Sequence, residues 1–93
     1  AVEEAPASPA ARLNLGVSYY LGGLRTAAER QYLKAVEIDP DLPLVHNNLG
    51  VVHADRGEMA LAEKEFEREL RINPGYKRAV ENLAALRSGD WTR

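Results

Sequence analysis

Asn14-Leu15-Gly16-Val17 returns 34 residues later as Asn48-Leu49-Gly50-Val51. The echo extends further at the same offset. Gly23 returns as Gly57, Ala28-Glu29 as Ala62-Glu63, Tyr32 as Phe66, Ile38 as Ile72 and Pro40 as Pro74. A fixed period of this length marks stacked supersecondary units, each burying its apolar face against a neighbour. Such arrays build extended surfaces rather than closed cavities, which argues against an enzyme.

The period resolves into helices. Ser8-Pro9 reads as an N-cap followed by proline at the first helical position. The first helix then runs to about Leu21 and ends at Gly22-Gly23, which supply the left-handed geometry of a tight exit. A second helix, about Leu24 to Ile38, carries Ala28, Tyr32 and Ala35 at i, i+4, i+7 as its packing stripe. Asp39-Pro40 stops it. The third helix, Pro43 to Asp55, copies the first. The fourth, Glu58 to Ile72, copies the second and is expected to bury Ala62, Phe66 and Leu70. A fifth, Tyr76 to Arg87, opens a third copy with Asn82-Leu83 but is more polar, as suits a helix that closes the end of an array.

Composition narrows the classes of function. A net charge of −2 gives no basic footprint, so no nucleic-acid or anionic-membrane partner is expected. The chain has no cysteine, which excludes disulfides and thiolate metal sites and leaves the compartment open. Its apolar runs are too short for a membrane span. The opening Ala1-Val2-Glu3-Glu4-Ala5-Pro6-Ala7-Ser8 lacks the basic and apolar regions of a signal peptide and reads as a linker, as if the chain were a piece of a longer protein.

Leu15-Gly16-x-x-Tyr19, Ala28-x-x-x-Tyr32 and Pro40 resemble a tetratricopeptide repeat. Leu49-Gly50-x-x-His53, Ala62-x-x-x-Phe66 and Pro74 resemble a second. Arg12 and His46 stand where the family often has tryptophan, and Glu69 replaces the small residue seen at Ala35, which suggests weaker packing in the second repeat. The resemblance implies an all-α fold, a solenoid of about five antiparallel helices. A linker would occupy 1–8, repeat 1 residues 9–42, repeat 2 residues 43–76, a capping helix 77–88 and a tail 89–93.

The resemblance also places function. In the family the first helix of each repeat lines a concave groove that holds an extended peptide or a partner helix. Carried onto this chain, Asn14, Asn48 and Asn82 occupy equivalent positions in it. An asparagine amide carries donors and an acceptor and can pair with a peptide backbone, so three at even spacing form a ladder. Leu13, Val17, Tyr20, Leu44, Asn47 and Val51 are expected beside them, with Arg78 at the far end. Some members clamp a chaperone's C-terminal carboxylate, but Leu13 and Val17 stand where polar clamp residues would be, and Asn82 replaces a basic one.

The remaining candidates read as structural. His46 and His53 are the only histidines. They lie seven apart on a helix, about 10 Å along its axis, too far to share a metal. The acidic run Glu58 to Glu69, with Lys64, Arg68 and Arg71, reads as a solvated convex face. Trp91 lies past the last helix, where it can fold back over an apolar edge. No nucleophile–base pair or phosphate-binding glycine loop stands out, so neither catalysis, a cofactor nor a metal is expected. The leading expectation is a peptide- or protein-binding module. The alternatives are self-assembly, motivated by Leu24 and Leu33, or a regulatory domain of a larger protein.

Overall fold

The computed structural model describes residues 8–91. The expected linker, except Ser8, and the last two residues of the expected tail lie outside them. Five α-helices are present among the described residues: α1 Pro9–Leu21, α2 Arg25–Ile38, α3 Val45–Asp55, α4 Met59–Ile72 and α5 Lys77–Ser88. The chain divides into two compact units, Ala1–Val45 and His46–Arg93.

The first unit is the hairpin of α1 and α2. Ser8 caps α1, its hydroxyl accepting from the Ala11 amide at 3.2 Å, and Pro9 occupies the first turn. At the other end Gly23 takes φ +83° and the Leu24 amide donates back to the Tyr19 carbonyl at 2.9 Å. This six-to-one bond uses a carbonyl that the helix end leaves open. The expected stripe of Ala28, Tyr32 and Ala35 is buried. Gly16 faces it. A Cβ added there would lie 2.5 Å from Tyr32 Cε1, a separation no side chain tolerates. Glycine is therefore required by the close approach of α1 and α2. Arg12 Nη1 adds a polar tie across the hairpin to Gln31 Oε1 at 3.0 Å.

The second unit repeats these devices at the same offset. Gly57 has φ +83°, and the Glu58 amide donates to the His53 carbonyl at 2.9 Å. A Cβ on Gly50 would lie 2.5 Å from Phe66 Cε1. His46 Nδ1 donates to Glu65 Oε1 at 2.7 Å, the counterpart of the Arg12–Gln31 tie. The turn out of α4 matches that out of α2. Tyr76 N–H donates to the Asn73 carbonyl at 3.0 Å, as Leu42 N–H does to Asp39 at 3.2 Å.

Two expectations fail, and each has a physical cause. The third helix begins at Val45 rather than Pro43, because Leu44 takes φ +83°, a left-handed conformation that a helix cannot pass through. In α4 the buried residue of the last turn is Glu69 rather than Leu70, which is only half-buried. Glu69 is fully enclosed, and its Oε1 accepts from the Asn47 amide at 3.1 Å. Asn47 lies in the first turn of α3, where backbone N–H groups have no partner within the helix. Residue 69 therefore supplies from a distance the cap that Leu44 cannot provide, and its acidic group sits where the helix dipole favours it.

Helix α5 closes the second unit. It buries Ala79, Asn82 and Leu83 and packs against α4. Gly89 ends it with φ +80°, and the chain then turns back. Trp91 stacks tilted on Phe66, ring centroids 5.9 Å apart, and its Nε1 donates to Asp55 Oδ1 at 3.0 Å. The tryptophan thus covers the aromatic core of the second repeat.

Candidate peptide-binding surface

The expected surface residues fall into two groups. In the first unit Asn14 is exposed on α1, with Val17 and Tyr20 half-buried on the same helix and Leu13 buried. Asn14 and Val17 lie one turn apart and share a face, so a ligand lying along α1 meets an amide and an aliphatic side chain together. Leu44 is exposed in the turn before α3.

In the second unit Asn48 is half-buried, and Arg78 is exposed on α5. Asn47, Val51 and Asn82 are instead buried. Asn82 Nδ2 donates to Asn47 Oδ1 at 3.0 Å. Asn47 in turn reaches Asn48 Oδ1 at 3.5 Å, a long and weak contact. The three asparagines of the ladder therefore differ in kind. Asn82 faces inward and ties α5 to α3, while Asn14 and Asn48 retain access to solvent.

The reason lies one position away. Asn82 is the repeat counterpart of Asn48, yet its partner is Asn47, whose own counterpart in the first repeat is Leu13. An amide at 47 gives Asn82 an inward partner. Leu13, at the equivalent position of the first repeat, carries no side-chain polar group. A buried amide without a partner costs about 1–3 kcal/mol, so the pair is self-selecting.

Glu69 is the residue whose role sequence reasoning misses, whereas Trp91 folds back over an apolar edge as expected, onto Phe66. A carboxylate at a small-residue position of the repeat was the available signal for Glu69. Nothing local announced that Trp91 would also reach Asp55. Among the described residues no helix is long and apolar enough to cross a membrane, and no cluster of three His, Cys, Asp or Glu side chains could hold a metal ion.

Paired antiparallel helices, a glycine under each aromatic and a proline turn at a 34-residue interval define a helical repeat protein. The family model described as TPR repeat matches residues 26–57, and that described as tetratricopeptide repeat matches residues 43–77. The chain belongs to the tetratricopeptide repeat family, whose members are generally non-catalytic protein–protein interaction modules. No curated protein matches the chain significantly.

Proposed function

We infer that the protein binds an extended peptide or a partner helix along the first helices of its repeats, with Asn14 and Asn48 as its backbone-reading groups. One observation carries this reading. The two asparagines stand at equivalent repeat positions and keep solvent access, whereas Asn47 on α3 and Asn82 on α5 are buried. Each accessible amide offers two donors and an acceptor to a peptide bond, with no demand on the ligand's side chains. Val17 and Tyr20 add apolar contact beside Asn14. Arg78 offers a cation to an acidic ligand group.

The test uses peptides selected by display against the wild-type protein. The Asn14→Ala/Asn48→Ala double variant is expected to lose about 10-fold or more in affinity, two hydrogen bonds at about 1 kcal/mol each. Unchanged affinity with an intact circular dichroism spectrum rejects the reading.

A second reading, self-association, is favoured by the exposed apolar set of the first unit. Leu21 is 79 % exposed, Leu24 55 % and Leu33 52 %. A dimer would bury these side chains. Light scattering over a wide concentration range decides it. A strict monomer at high concentration removes it.

A further inference from the structure

The segment from Glu58 to Glu69 carries five glutamates and looks acidic when read in one dimension. The fold engages every one of them. Glu58 accepts from His53 at 2.8 Å, Glu65 from His46 at 2.7 Å and Glu69 from the Asn47 amide at 3.1 Å. Glu63 and Glu67 are bridged by Arg87 of α5, both at 2.9 Å.

The cations of α4 do the opposite. Lys64, Arg68 and Arg71 are all exposed. Their i, i+4, i+7 spacing sets them on one stripe about 10 Å long, opposite the buried Ala62 and Phe66. Exposed Leu61 continues the stripe one turn earlier. Arg68 makes a single 3.4 Å contact with Glu65, and its side chain stays 54 % exposed. Lys64 and Arg71 form no ion pair among the described residues. The helix is thus sorted by sign: carboxylates toward α3 and α5, ammonium and guanidinium groups toward solvent.

We propose that this outer stripe of α4 is a docking surface for an acidic segment of a partner protein, one that brings carboxylates to Lys64, Arg68 and Arg71 and an apolar side chain to Leu61. Charge complementarity selects the occupant. Anionic membranes are engaged by clusters of about four to eight basic residues, more than this stripe holds. The net charge of −2 opposes a long polyanion such as nucleic acid. Helix α2 supplies an internal contrast. Arg30 and Lys34 match Lys64 and Arg68, but Glu37 stands where Arg71 does and Ala27 where Leu61 does, so the stripe there is broken. None of these residues belongs to the first-helix surface carrying Asn14 and Asn48.

The probe is a labelled, alanine-based helical peptide with one leucine and glutamates at i, i+4, i+7. Its control has glutamine in place of the glutamates. In fluorescence anisotropy at low salt the glutamate peptide is expected to bind at least about 10-fold more tightly than the control, and to weaken several-fold when salt shortens the screening length. The Lys64→Glu/Arg68→Glu/Arg71→Glu variant is expected to lose about 10-fold or more. Should it fail to fold, Lys64→Ala/Arg71→Ala, which removes no ion pair among the described residues, is expected to lose about 3-fold or more. The Asn14→Ala/Asn48→Ala variant keeps full binding, which separates this surface from the first-helix one. Equal binding of both peptides overturns the proposal, as does an unaffected folded charge variant. Tighter binding of a single-stranded oligonucleotide or a phosphatidylserine vesicle also overturns it.

Discussion

Asn82 on α5 donates its side-chain amide to the side-chain carbonyl of Asn47 on α3 across 3.0 Å, and both residues are buried. The pairing is one residue out of step with the repeat, whose period relates Asn82 to Asn48. It makes the contact of α5 with α3 a specific polar joint rather than an apolar contact that could slide. Buried amides hold register because every slipped alternative leaves one unsatisfied.

Removing one member of this pair exposes its worth. Asn82→Ala leaves Asn47 Oδ1 buried without that donor and is expected to cost about 1–3 kcal/mol in urea unfolding. The Asn47→Ala/Asn82→Ala double variant should cost less than the sum of the singles, because neither partner is then orphaned. Strict additivity would show that the pair does not interact in solution.

Glu69 is expected to behave as a helix cap despite its distance in sequence. Glu69→Ala recreates the residue found at Ala35, yet it removes the acceptor for the Asn47 amide and opens a void. A loss of about 2 kcal/mol or more is expected, with Glu69→Gln retaining a large part of the stability because its carbonyl still accepts. If alanine is as stable as glutamate, the capping role fails.

The glycine beneath Phe66 offers a steric test. Gly50→Ala places a methyl 2.5 Å from Phe66 Cε1 and is expected to destabilise by about 1–3 kcal/mol. Adding Phe66→Leu vacates the ring edge, so the double variant should recover part of the loss expected from summing the two single changes. Simple addition of the two effects in thermal melts argues against a direct clash.

Tyr32 links the first unit to pH. Burial, with a smaller contribution from Tyr20, pushes its phenol up to about 12 from 10.0. The folded state then resists ionisation more than the unfolded one. The stabilisation is complete below pH 10 and is lost as pH rises through 12. Two pH units correspond to about 2–3 kcal/mol. Tyr32→Phe is expected to flatten this part of the stability profile. An unchanged alkaline slope in that variant assigns it to other groups.

Much of this fold is legible in the sequence, because its devices are local or periodic. Ser8-Pro9, Gly23 and Gly57 announce helix ends, and Gly16 and Gly50 announce close approach through the aromatic that lies 16 residues on in both repeats. What resisted reading is tertiary. Pro43 looked like a helix start, but the left-handed Leu44 delays α3, and nothing nearby signals that Glu69 will cap it. The asparagine ladder was visible as spacing alone. That Asn82 turns inward depends on the side-chain amide of Asn47, which receives its hydrogen bond. The acidic run of α4 misled for the same reason, since composition does not say which charges face His46, His53 and Arg87.

Trp91 is the only tryptophan of the chain, and it rests on Phe66 in the second unit. Tyr19, Tyr20 and Tyr32 all belong to the first unit, and only Tyr76 to the second. The protein therefore carries separate optical reporters for its two halves. Indole emission follows the half that holds α4 and α5. Phenol absorbance follows chiefly the α1–α2 hairpin. Whether the repeats melt together or in sequence can be read from the unlabelled protein with a single fluorimeter and a single spectrophotometer.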